Sequence, residues 1–266
     1  MNMSKFTLNK LQLTNIIAFV AVIVMNTLSN TLPLNGRSAG EISDSLPSYF
    51  TPAGYTFSIW GLIYLSLLGF TIYQVLPTTQ NKPFMHQIGW LFALSSAANI
   101  VWLFAWHYGW LLLSPFIMLV LLVTLILIYM RLKIGEANPA LSWAERLLVQ
   151  FPFAIYLGWI TVATIANIAS VLANSGWTGF GIAGPTWSAI MMLVAVVVAG
   201  GVLFNRRSLA YAGVLVWALF GIRAAYPTVP IIATTAVIAA ILIIMLAILG
   251  YIRTRPAARR LSPRPV

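Results

Sequence analysis

Apolar residues fall in long unbroken runs along most of this chain, without the every-other-residue alternation of a half-buried strand. Eight runs can be drawn, at 11–32, 54–75, 85–106, 110–131, 148–171, 187–204, 208–224 and 229–252. Most reach the roughly 20 residues that carry an α-helix across bilayer hydrocarbon, and the seventh is the shortest. Continuous runs, rather than alternating dyads, also argue against a transmembrane β-barrel. The pattern predicts an all-α, polytopic membrane helix bundle of about eight transmembrane helices.

The basic residues give an independent check. With the N-terminus cytoplasmic, that side receives Lys5 and Lys10, then Lys82, then Arg131, Lys133 and Arg146, then Arg206 and Arg207, then the arginines from Arg253 onward. Only Arg37 and Arg223 fall opposite. This is the positive-inside bias of an even number of spans with both termini cytoplasmic. The first run, preceded by Lys5 and Lys10, has the outline of a signal peptide. No small-residue cleavage site follows it, and a retained span is expected.

Composition agrees. Hydrophobic residues make up 61% of the chain, charged residues 7%, and mean hydropathy is +0.92, far from the soluble range. In so apolar a chain the net charge of +11 points to anionic headgroups rather than nucleic acid. The expected partners are therefore membrane lipid and a small hydrophobic ligand. The absence of cysteine excludes disulfides, thiolate metal sites and cysteine nucleophiles. The four acidic residues, Glu41, Asp44, Glu136 and Glu145, all fall in loops, so no carboxylate pair lies within the membrane for hydrolysis, proton relay or metal binding. Every Lys is outside the runs as well, which rules out a retinal Schiff base. His86 and His107 bracket the third run about 30 Å apart, too far to share a metal. His107 reads as an interfacial residue before it reads as an axial haem ligand.

The loops differ in character. The connection at 33–52 is the longest and carries Arg37, Glu41 and Asp44, which marks it as a possible lid. The tail at 253–266 is basic and Pro-rich and is expected to be disordered against headgroups.

The remaining signal is aromatic. Trp110, Trp143, Trp177, Trp187 and Tyr251 sit where an interfacial belt is expected. Trp60 and Tyr64, four residues apart, share one helix face. Trp102, Trp106 and Trp159 fall at similar depth in other spans, together with Asn26, Asn30, Asn99 and Asn167. An amide in hydrocarbon needs a partner, either another helix or a ligand. Flat rings with a few amides suit a planar, largely apolar ligand.

These positions resemble the translocator protein family, TspO/MBR, also called tryptophan-rich sensory proteins. The resemblance rests on Pro52 with Trp60 and Tyr64, on Asn99-Ile-Val-Trp102 with Trp106, and on Tyr156-Leu157-Gly158-Trp159 with Asn167 and Asn174, and it covers about 11–174. There are departures: Thr51-Pro52 replaces a doubled proline, Gly61 a threonine and Ile155 a proline, and no Lys or Arg follows Asn174. The resemblance implies a five-helix core at 1–176, often dimeric, with a pocket under the first outer loop for porphyrin, haem or another hydrophobic ligand. Trp60, Tyr64, Asn99, Trp102, Trp106, Tyr156, Trp159 and Asn167 would line that pocket. Three additional spans at 177–252 lie beyond the five-helix pattern. A bacterial cell membrane is the expected location. A transporter of a small hydrophobic molecule, or a membrane enzyme modifying a bound tetrapyrrole, are the rival readings.

Overall fold

A computed structural model describes residues 8–32, 34–46, 48–80 and 82–253, and contains no strand among them. The basic tail at 254–266 lies outside the described residues. Helix α1 (Lys10–Thr31) opens on a capping box, in which Asn9 and Gln12 exchange side-chain-to-backbone bonds of 2.9 Å. The first long loop contains a short helix, α2 (Ala39–Asp44), capped in the same way by Ser38 and Glu41. A 3-10 turn at Gly54–Ser58 then runs into α3 (Ile59–Tyr73).

The third span is two helices end to end, α4 (Phe84–Ile88) and α5 (Leu91–His107). The break falls at Gly89, whose φ of 53° and ψ of −132° suit a residue without a Cβ. Helix α6 (Ser114–Arg131) follows. Next, α7 (Trp143–Glu145) passes through a π turn at Arg146–Gln150 into α8 (Phe151–Asn174). Pro152 accounts for the π turn: it has no N–H for the Leu148 carbonyl and its ring crowds that oxygen, so the preceding turn widens. The chain closes with α9 (Gly184–Leu203), α10 (Leu209–Ala225) and α11 (Pro230–Arg253).

Six described helical stretches are long and apolar enough to cross a membrane, and α5 and α10 are shorter apolar helices. Every expected run therefore contains a helix, and the third falls short only because Gly89 divides it. Helix α8 is the mast, with α3, α6 and α10 packed against it. Helix α1 lies against α3 and α5, α5 against α6, and α11 between α9 and α10.

The polarity of α1 is inverted relative to a soluble helix. It buries Gln12, Asn15 and Ser29 and exposes Leu13, Ile17, Val20, Val24 and Leu28. Hydrocarbon imposes this, because polar groups must be satisfied inside the bundle. Gln12 Nε2 donates to the Gln74 carbonyl at 2.7 Å and Asn15 Nδ2 to Gln74 Oε1 at 3.0 Å.

The basic end is drawn together by ion pairs, Lys82–Glu145 at 2.8 Å and Arg206–Glu136 at 3.1 Å. The hydrogen bond to Glu145 raises the Lys82 ammonium above its ordinary range. At the opposite end, the loop before α3 is pinned to the last three helices. Ala53 N donates to the Gly221 carbonyl at 3.0 Å, Trp217 Nε1 to the Thr56 carbonyl at 3.1 Å, Tyr226 Oη to the Ser48 carbonyl at 2.7 Å and Ser188 Oγ to the Tyr49 carbonyl at 2.7 Å.

Candidate functional site

Helix α2 roofs a cavity of about 630 Å³ at the end away from the ion pairs. One wall is the last two turns of α1, where Asn26, Thr27, Ser29, Asn30 and Thr31 form a polar stripe. The facing wall is aromatic: Phe57, Trp60 and Tyr64 from the 3-10 turn and α3, and Trp102 from α5. A recess of about 50 Å³ adjoins it, sharing Ala39, Phe57, Trp60 and Trp102 and adding Trp106, Trp159 and Asn167.

The helical spacing sets this wall. Trp60 and Tyr64 stack on each other with centroids 5.2 Å apart and planes 19° apart, and Trp102 stacks on Trp106 at 5.6 Å and 20°. Trp60 also meets the edges of Tyr156 and Trp159 at 5.7 and 6.2 Å. Each such pair is worth about 0.5–1.5 kcal/mol beyond area burial, so the wall is preorganised. Trp106 Nε1 donates to the Ala39 carbonyl at 3.1 Å, which ties the roof to α5. Among the described residues, the indole N–H groups of Trp102 and Trp159 have no hydrogen-bond partner.

The remaining expected site residues stand behind the wall. Asn99 is 1% exposed; its Oδ1 accepts from Asn26 Nδ2 at 2.8 Å and its Nδ2 donates to Tyr156 Oη at 3.2 Å. This ladder joins α1, α5 and α8. Asn99 and Tyr156, expected to touch the ligand, are lining residues of neither the cavity nor the recess, because the amide is used up between helices. Asn167 does reach the recess, and its amide pairs with Ser114 Oγ at 3.1 and 3.2 Å. His107 is buried, with Nδ1 2.7 Å from the Leu103 carbonyl, and lies outside both linings.

The mouth is acidic. Glu41 and Asp44 both line it. The Ser38 N–H, donating to Glu41 at 2.6 Å, holds that carboxyl below its ordinary range, helped by the Ser38 hydroxyl and by Arg37.

Several of these contributors are not evident from aromatic spacing. The polar stripe on α1 is visible only as Asn26, Ser29 and Asn30 recurring at helical intervals near the end of an apolar run. The placing of Glu41 and Asp44 at the mouth requires α2 to fold. Trp177 and Trp187, expected in an interfacial belt, lie 5.1 Å apart in the wall of a second, apolar cavity of about 380 Å³ between α8 and α9. Trp187 Nε1 there donates to the Gly179 carbonyl at 2.7 Å.

No curated protein and no solved structure matches the chain. A family model described as TSPO-like protein matches residues 12–249, and so runs on through the three helices beyond the resemblance read from the sequence. The long apolar helices, the inverted polarity of α1 and this match over nearly the whole length identify an integral membrane protein that belongs to the TSPO-like family.

Proposed function

We propose that the chain is a membrane binding or sensory protein that holds a planar, hydrophobic, porphyrin-like ligand in the cavity beneath α2. The observation that carries this reading is the cavity of about 630 Å³ with Trp60, Tyr64 and Trp102 in its wall. That volume is in the usual range for small-molecule sites, and stacked rings present flat apolar faces with little rotamer entropy to lose. Asn99 and Tyr156 position this wall rather than touch the ligand. In this reading the membrane is a bacterial cell membrane, both termini are cytoplasmic and the cavity opens at the outer face.

The test is a titration of detergent-solubilised protein with protoporphyrin IX dimethyl ester, an uncharged planar tetrapyrrole, followed by tryptophan fluorescence. Saturable quenching is expected, with affinity falling at least about tenfold in a Trp60→Ala, Trp102→Ala double variant. Unchanged affinity in that variant would remove the site.

A further inference from the structure

Helix α9 packs along α11 and meets α8 only at its margin, and the second cavity, of about 380 Å³, occupies the gap between α8 and α9. Helix α8 is buried without interruption from Pro152 to Val162. In its last turns one face is left uncovered by protein: Ile165, Ile168, Ala169, Leu172 and Ala173 form a single apolar stripe that lines the cavity, about 12 Å long at 1.5 Å per residue. Trp187 and Met191 of α9 stand opposite, and Tyr49 and Phe50 close one side.

The walls are held by bonds of the protein's own. Ser188 Oγ donates to the Tyr49 carbonyl and Trp187 Nε1 to the Gly179 carbonyl, each at 2.7 Å, and the Phe50 N–H donates to Ser48 Oγ at 3.3 Å. No Asp, Glu, Lys, Arg or His lines the cavity, and among the described residues no buried side-chain polar atom of the lining lacks a partner. Water would find too few partners there. An empty apolar space of this size would forfeit dispersion contacts on every wall. A small-molecule site keeps a few placed polar groups to orient its ligand, whereas the buried ones here are already used. Leu172 and Ile182 line the cavity and are also exposed, so it opens where α8 ends and the chain approaches α9.

We infer that this cavity is a resident-lipid site. It holds one acyl chain of a bilayer phospholipid along the α8 stripe, with the headgroup at the opening near Trp177 and Thr178, where an interfacial indole belongs. A slot one helix face wide, open to the bilayer and without charge, fits hydrocarbon from the surrounding membrane. The site is separate from the cavity beneath α2, and either can fail alone.

The test is photo-crosslinking of the full-length protein in phosphatidylcholine nanodiscs doped with phosphatidylcholine that carries a diazirine midway along one acyl chain. Peptide mass spectrometry should find adducts on Ile168, Ala169 and Met191, although all three are half-buried, at a yield no lower than on exposed Val197, which lies outside the lining. Ala169→Trp fills the slot and should cut the Met191 adduct at least about fivefold while leaving Val197 unchanged. If the Val197 adduct also falls in that variant, the smaller Ala173→Leu decides by the same criterion. Adducts confined to exposed residues, or a Met191 adduct undiminished in a variant that keeps its Val197 adduct, would overturn the site. A fatty alcohol with the same diazirine, at matched mole fraction, separates the two sources of a chain. A lining yield from the alcohol at or below that from the phospholipid supports the inference, and one several-fold higher would give the cavity to a free lipophile and overturn it.

Discussion

The indole N–H of Trp106 donates to the Ala39 carbonyl across 3.1 Å, so the roof of the cavity is tied to a helix that forms part of its wall. Asn35 Nδ2, donating to the His107 carbonyl at 3.0 Å, fastens the same loop one step earlier. Trp106→Phe keeps the ring and its stacking on Trp102 but removes the tether, at a local cost of about 1 kcal/mol. Amide exchange in α2 should speed up several-fold, with the rest of the bundle unaffected. Unaltered exchange in α2 would mean that the loop is held in some other way.

The ladder Asn26–Asn99–Tyr156 predicts a stability effect separate from binding. Asn99→Leu leaves Asn26 Nδ2 and Tyr156 Oη without their cross-helix partner in an apolar setting. Thermal unfolding in detergent should show a loss of about 1–2 kcal/mol. Tyr156→Phe, which strands a single donor, should cost less. Because neither residue lines the cavity, the dimethyl ester should still saturate whatever fraction remains folded.

The capping box of α2 predicts a pH dependence. The Glu41 carboxyl is held below its ordinary range, chiefly by the Ser38 N–H. A depressed native pKa gives stability that is complete above the unfolded value, about 4.3, and is lost as pH falls through the native value. Arg37 reinforces the ionised form, whereas Asp44, on the same short helix, opposes it by charge. Exchange protection of α2 should weaken on acidification across this window in the wild type, and Glu41→Gln should flatten the profile. A profile identical in both would dissociate the cap from Glu41.

Gly221 links the last three helices to the site. Its carbonyl accepts from Ala53, and a Cβ there would overlap the Thr56 side chain. Gly221→Val should push the turn before α3 outward, cost about 1–3 kcal/mol through overpacking and weaken dimethyl ester binding, although Gly221 does not itself line the cavity. Binding at full strength in a folded variant would show that these helices do not brace the site.

The legible part of this molecule was what hydrocarbon dictates. Length and apolar continuity marked all eight segments, because backbone groups in lipid have no partner but their own helix. Helical spacing put Trp60 with Tyr64 on a common face, as their stacking shows; Trp102 and Trp106, also four residues apart, stack in the same way. Helix spacing along one segment does not, however, reveal which residue of a neighbouring helix lies opposite. Asn99 had equal claims to a ligand or to another helix, and the interhelical bonds it makes to Asn26 and Tyr156 became visible only once those helices were seen side by side. The division of the third span at Gly89 and the fold of α2 likewise depend on local geometry that an apolar average conceals. The acidic mouth followed from α2, since Glu41 and Asp44 come together at the cavity only once that turn of helix has formed.

The central claim is that a ligand enters the cavity between α1, α3 and α5. The chain has no cysteine, so a single introduced thiol reports on one place. Thr27→Cys puts that thiol in the wall of the cavity beneath α2, and Ala173→Cys puts it in the second cavity between α8 and α9. The decisive measurement is the maleimide labelling rate of each variant with and without saturating protoporphyrin IX dimethyl ester. The account predicts slowing of at least about tenfold at position 27 and none at 173. Protection at 173 alone, or at neither position under saturation, would contradict it.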